Sequence, residues 1–210
     1  MGLTNVNKSE FEKCLEGFSH INRYWDKYND IVTAKILPGQ YYVTKNNEAI
    51  VTVLGSCISA CIRDVNSGIG GMNHFMLPAD NSGANTRLSE SARYGNFAME
   101  MLINEILKNG GIRSSLEVKI FGGGKILRNM TDVGQRNIEF VTTYIKTEGL
   151  NLVSSDVGTP HPRKVYYFPE SGRVRIKKLR KLHNETVIER EADYMKDLVK
   201  KPVEGDIELF

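Results

Sequence analysis

Short apolar runs set off by turn chemistry dominate the first half of the chain. Tyr41 to Thr44 and Ala49 to Leu54 read as strands, and Lys45-Asn46-Asn47-Glu48 between them suits a tight turn, so this pair is expected to form a hairpin. Cys57 to Arg63 and Ile69 to Phe75 form a second expected pair around Asp64-Val65-Asn66-Ser67-Gly68. The period then changes. Tyr94, Ala98, Met101, Leu102 and Ile106 recur at helical spacing, which predicts a helix over 90–109 with Ser89 as N-cap and Gly110 after its end.

Glu117 to Phe121 is a further strand. A second helix is expected over 133–148, capped by Thr131 or Asp132 and burying Ile138, Val141 and Ile145. Leu150 to Val157, Lys164 to Phe168 and Arg173 to Leu179 complete the strands, and Glu185 to Lys200 reads as a charged helix. Residues 1–35 mix charge with aromatics without a sustained period and read as an N-terminal arm. Strands in both halves with long helices between them predict an α+β domain, not the strict strand–helix alternation of a doubly wound fold. No internal repeat is evident.

Composition narrows the class. Of 210 residues, 40% are hydrophobic and 25% charged, which are globular proportions. A net charge of +3 gives no global field for nucleic acid. Three cysteines, Cys14, Cys57 and Cys61, form no paired framework and fit a reducing compartment. With no signal-peptide pattern and no apolar run long enough to span a bilayer, the chain reads as cytoplasmic and not inserted in a membrane.

The candidate chemistry lies where small residues crowd, at Leu54-Gly55-Ser56-Cys57 and Gly70-Gly71-Met72-Asn73-His74. An ordinary thiol is mostly protonated at neutral pH, so nucleophilic use needs a nearby base. If Cys57 opens one strand and His74 ends its antiparallel neighbour, the two lie across from each other, with the amides around Cys57 as an oxyanion site. Ser56 and Asn73, each next to one of this pair, are candidates for lining the site or the oxyanion position. The plainer reading makes Cys57 a small core residue and His74 a satisfied polar group, and Cys61 is expected in the core. A metal site from Cys57, Cys61 and His74 lacks a fourth ligand and CxxC spacing, so no metal is expected. Phe121-Gly122-Gly123-Gly124-Lys125-Ile126 lacks the first glycine and the Ser or Thr of a phosphate loop, and reads as a tight crossing beside the site. Arg173, Arg175 and Lys177 line one face of a strand that is either a solvated edge or a surface for an acidic partner.

These segments carry a specific resemblance. LGSC at 54–57, GGMNHFMLP at 70–78, FGGG at 121–124, DVGQRNIEFV at 132–141 and PRKVYYFPESGRVRIKKL at 162–179 resemble, in order, the CheD family of chemoreceptor glutamine deamidases. The resemblance covers roughly residues 36 to 180 and implies a sandwich of mainly antiparallel sheets covered by helices, layered α-β-β-α. It divides the chain into the arm at 1–35, a deamidase domain at 36–182, and a helix and tail at 183–210 packed on or extending from it. It further implies hydrolysis of glutamine side-chain amides on chemoreceptor cytoplasmic domains, with Cys57 as nucleophile, His74 as base and Thr52 orienting the imidazole, and a CheC-type phosphatase as a partner in some organisms. The thiol chemistry implied by the resemblance requires no organic cofactor. The alternatives are a non-catalytic chemotaxis adaptor, or a methylesterase acting on methylated receptor glutamates. The tail, with Ile207, Leu209 and Phe210, reads either as a frayed terminus or as a short docking element.

Overall fold

The alternation of apolar residues resolves into two five-stranded sheets that share one buried core. The computed structural model describes residues 11–78, 86–126, 133–179 and 184–200, without the side chains of 86–90, 184–185 and 199–200. The strands are β1 (Asn22–Asp26), β2 (Ile31–Lys35), β3 (Tyr41–Thr44), β4 (Ala49–Leu54), β5 (Ile58–Asp64), β6 (Gly70–Asn73), β7 (Leu116–Gly122), β8 (Asn151–Val157), β9 (Arg163–Phe168) and β10 (Arg173–Lys178). The first sheet has the order β1-β2-β4-β9-β10 and the second β3-β6-β5-β7-β8. Each is antiparallel apart from one parallel pair, β2 with β4 and β7 with β8.

Helix α1 (Thr86–Lys108) packs on β3, β5 and β6, and α2 (Val133–Thr147) packs on β5 and β8, so both cover the second sheet. The third helix, α3 (Asn184–Lys200), lies against the 55–57 loop that joins β4 to β5. The capping roles expected of Thr131 and Asp132, and the tail at 203–210, fall outside the described residues, as does the side chain of Ser89. Among the described residues no helix is long and apolar enough to cross a membrane.

Two local expectations are corrected. Residues 22–35, read as part of an arm, form β1 and β2 of the first sheet. The turn between them is built by Asp26, whose carboxylate accepts from the amides of Tyr28 and Asn29 at 2.9 and 3.2 Å, with Asp30 at φ 52°. This Asx turn joins strands whose exposed positions are polar, which hides them from a search for apolar periods.

The second correction concerns β3 and β4, which do not form a hairpin: β3 belongs to the second sheet and β4 to the first. Buried Glu48 sets the crossover. Its carboxylate accepts from Tyr42 and Thr44 hydroxyls at 3.1 and 2.8 Å, from Asn46 at 3.2 Å and from the Arg23 guanidinium at 2.9 Å. A turn organised around a buried, paired carboxylate faces inward, between layers, where a hairpin tip would face water. The pairing of β5 with β6 matches expectation, and Asp64 caps its turn by accepting from Asn66, Ser67 and Ile112 amides.

The glycine run after β7 does what a tight crossing requires. Gly123 and Gly124 donate to the carbonyls of Cys57 and Gly55 at 2.7 and 2.6 Å, stitching the 55–57 loop to the neighbouring strand. Gly122 has φ 113°, and a Cβ there would overlap the Cys57 carbonyl. Gly122→Ala is therefore expected to lower stability in urea by more than about 2 kcal/mol, since it combines a disfavoured φ with a backbone clash. Unfolding midpoints equal to wild type would show that the crossing relaxes freely and does not pin the loop.

Candidate functional site

Thr52, on β4 of the first sheet, and His74, just after β6 of the second, meet in the space between the sheets. The Thr52 hydroxyl lies 2.7 Å from His74 Nδ1 and 2.9 Å from the Ile36 carbonyl. A carbonyl only accepts, so the single hydroxyl proton goes to Ile36, and Thr52 must accept from Nδ1–H. That fixes the tautomer. Nε2 is left with its lone pair, and it is buried with no hydrogen-bond partner among the described residues. The backbone of His74 is held as firmly, donating to the Gln40 carbonyl at 2.9 Å and accepting from Gly39 at 2.8 Å.

Cys57 directly precedes β5, whose first residue, Ile58, exchanges both backbone hydrogen bonds with Phe75. This bridge brings Cys57 beside His74, as the expected antiparallel pairing requires. The chemistry-bearing atoms of Cys57, His74 and a third residue, Glu191, all lie within 4.8 Å of one another.

Glu191 on α3 is the unanticipated member. Its carboxylate accepts from the amides of Gly55 and Ser56 at 2.8 Å each, from the Ser56 hydroxyl at 2.7 Å, and from the Cys57 amide at 3.3 Å. Three successive amides aimed at one anion form a nest, which offsets the cost of burying the charge. A side chain at Gly55 would collide with Glu191 and Ile126, so the loop admits the carboxylate only because residue 55 has none. Val187 and Met195, four residues to either side of Glu191, are buried with it, and Tyr194 hydrogen-bonds Tyr94 of α1. The sequence signal was a glutamate centred in an otherwise apolar i, i+4 stripe, which a charge-based reading of the helix passes over.

The other expected residues divide. Ser56 faces the nest with both its amide and its hydroxyl. Asn73 turns away from it, because its side chain accepts from the Ala60 amide and donates to the Ala98 carbonyl, tying β5 to α1. With α3 docked both Ser56 donors are taken by Glu191, while the Asn73 amide is committed to Ala60 and Ala98. Buried Asn137, a second residue the sequence did not single out, donates to the Ser56 carbonyl and accepts from the Leu77 amide, each at 2.8 Å. It positions the loop from α2. Cys61 lies in the core, where burial pushes its thiol up.

Burial also governs the protonation of the pair. Desolvation, followed by the field of Glu191, raises the Cys57 thiol well above its ordinary value. Desolvation, followed by the field of Arg190, lowers the His74 imidazole to about 3. With α3 docked the pair therefore rests as thiol and neutral imidazole. Cys57, His74 and Glu191 together could also present donors to a soft divalent cation, but both Glu191 oxygens already accept from the nest. Beside the pair opens a cleft of about 570 Å³, reaching Thr52 and His74 and bordered by Lys35, Lys164, Lys177 and Arg190.

A thiol, a tautomer-fixed imidazole and a cluster of convergent amides, mounted between two sheets, are the parts that a thiol-dependent hydrolase of amides or esters requires. Comparisons with known proteins narrow that class. A family model described as CheD chemotactic sensory transduction matches residues 76–178. A Halorhodospira halophila protein named probable chemoreceptor glutamine deamidase CheD is 57% identical over 201 residues, covering 94% of this chain and 93% of its own length. Proteins of the same name from Hahella chejuensis and Herminiimonas arsenicoxydans are each 53% identical, covering 93% and 96% of this chain. The chain belongs to the CheD family.

The buried imidazole makes a thermodynamic prediction. Its folded pKa lies below the unfolded value of 6.5, so the unfolded chain binds the extra proton as pH falls. His74 should therefore cost no stability above about pH 6.5 and erode it progressively toward pH 3, with a slope approaching about 1.4 kcal/mol per pH unit. Urea midpoints of wild type and His74→Gln measured from about pH 4 to pH 8 should diverge below the imidazole's ordinary pKa. Parallel curves across that range would mean that His74 is hydrated and protonates in the native state.

Proposed function

We propose that this protein hydrolyses side-chain amides of particular glutamines on chemoreceptor cytoplasmic domains, releasing ammonia and leaving glutamate. The observation that carries the reading is the Thr52–His74 hydrogen bond, which leaves Nε2 with its lone pair on an imidazole within 4.8 Å of the Cys57 thiol. In this reading Nε2 takes the thiol proton and the thiolate attacks the glutamine Cδ, forming the C–S bond. The amide oxygen becomes an oxyanion at the 55–57 amides. The imidazolium then protonates the nitrogen, the C–N bond breaks and ammonia leaves a thioester on Cys57. Water, deprotonated by the same Nε2, attacks the thioester, and the C–S bond breaks to give glutamate and the thiol. Thr52 accepts from Nδ1–H throughout and stabilises the imidazolium each time it forms.

The names of the relatives point to the same substrate class. The cleft bordered by lysines and Arg190 suits the approach of an acidic protein surface. A CheC-type phosphatase stays within this proposal as a further partner, drawn from the family resemblance.

Ammonia release from receptor cytoplasmic fragments, read together with the gain of about one dalton per converted glutamine, tests this directly. Cys57→Ala and His74→Ala should each reduce turnover by orders of magnitude in a folded protein. Thr52→Ala should lower kcat strongly while Thr52→Ser retains much of it, because serine keeps an acceptor for Nδ1–H. Full deamidation by folded Cys57→Ala would overturn the assignment, and methanol release from methylated receptors without ammonia release from amidated ones would make the protein an esterase.

A further inference from the structure

The 55–57 amides that the proposed reaction assigns to the substrate are already occupied. Glu191 fills them with a carboxylate at the end of a two-methylene side chain, which is the chemical group that deamidation of a glutamine leaves behind. The carboxylate is carried on a helix, stops within 4.8 Å of the thiol and imidazole, and leaves Cys57 fully buried and His74 2% exposed. We propose that α3 is an intramolecular product mimic: Glu191 holds the site closed, and the enzyme turns over only after α3 is displaced.

Three further observations support the inference, which rests on the deamidase reading for the identity of the group that Glu191 mimics. First, α3 takes part in no strand ladder, so its release breaks no sheet pairing. Second, α3 is seated along one face: Val187, Glu191 and Met195 are buried, Tyr194 and Leu198 pack partly buried against the core, and the Tyr194 hydroxyl meets that of Tyr94. Glu189, Arg190, Asp193, Lys196 and Asp197 are exposed, so the helix outside that face is already hydrated. Third, docking opposes chemistry. The Glu191 charge favours the protonated thiol, the Arg190 charge favours neutral imidazole, and removal of both by release of α3 moves the two groups toward the ionised pair.

Competition follows from this arrangement. A receptor segment enters the nest with an apparent affinity reduced by the fraction of molecules in which α3 has left it. An activator is any partner that binds α3 in its released form.

The full-length protein and its Glu191→Ala variant test the latch through the rate at which iodoacetamide labels each cysteine, followed by peptide mass mapping. The structure supplies its own control, since Cys61, on β5, is buried in the core. Cys57 in Glu191→Ala should label at least tenfold faster than in wild type with Cys61 unchanged, and ammonia release from receptor fragments should rise with it. A synthetic peptide of residues 184–200 should slow Cys57 labelling in the variant, and the same peptide with alanine at 191 should not.

Should Glu191→Ala fail to fold, Tyr94→Phe, which removes one hydroxyl contact to α3, should raise Cys57 labelling by a smaller factor. Equal Cys57 labelling in wild type and folded variants overturns the latch, as does equal acceleration at Cys57 and Cys61, which would make Glu191 a general structural support. Labelling needs no substrate, so faster labelling without any ammonia release would retain the latch and remove the deamidase reading. Unchanged labelling with vigorous release by wild type would do the reverse.

Discussion

Backbone N–H groups buried away from water must find an acceptor, and three of them at Gly55, Ser56 and Cys57 point at one place. Much of the local architecture serves to build and fill that nest. Gly55 leaves room for the acceptor, Gly123 and Gly124 tie down the carbonyls on the opposite side of the loop, and Asn137 holds the Ser56 carbonyl from α2. An anion satisfies such a cluster best, which is why a glutamate from a distant helix is found in it. The same preference suits the cluster to an oxyanion during amide hydrolysis.

The second constraint is the orientation of His74. A free imidazole chooses between two tautomers, and one of them would turn a proton, not a lone pair, toward the thiol. The hydrogen bond from Thr52 to the Ile36 carbonyl removes that choice, because the hydroxyl has no second proton to give Nδ1. Since Thr52 and His74 come from different sheets, the stacking of the sheets itself sets the protonation geometry of the site.

The extent to which this was legible in the sequence follows the range of each interaction. The β5–β6 pair and the Cys57–His74 juxtaposition rest on a local turn and a short register and could be read from Asp64 to Gly68 and the flanking apolar runs, and α1 and α2 could be read from their own helical apolar spacing. The crossover at Glu48 and the strands β1 and β2 could not, because buried carboxylate pairing and Asx turns look like ordinary polar surface in one dimension. Glu191 is the extreme case. It lies more than 130 residues from its partners, on a helix whose many charges disguise the one that is buried. Asn73 shows the converse error: adjacency to His74 suggested a role in the site, while strand alternation turns its side chain to α1.

In the proposed reaction a glutamyl carboxylate and a glutaminyl amide use the same nest, one after reaction and one before it. Glu191→Gln places the amide there at the effective concentration of a tethered group. Its oxygen can accept from Gly55 and Cys57 and its nitrogen can donate to the Ser56 hydroxyl, while the Ser56 amide loses its acceptor, which leaves the glutamine held less firmly than the carboxylate. Mass spectrometry of the purified variant should find residue 191 converted to glutamate, with a gain of about one dalton, and should find it unconverted when Cys57→Ala is added. A folded Glu191→Gln protein that keeps its glutamine indefinitely, with Cys57 intact, would contradict the claim that the nest holding Glu191 is the place where amides are cleaved.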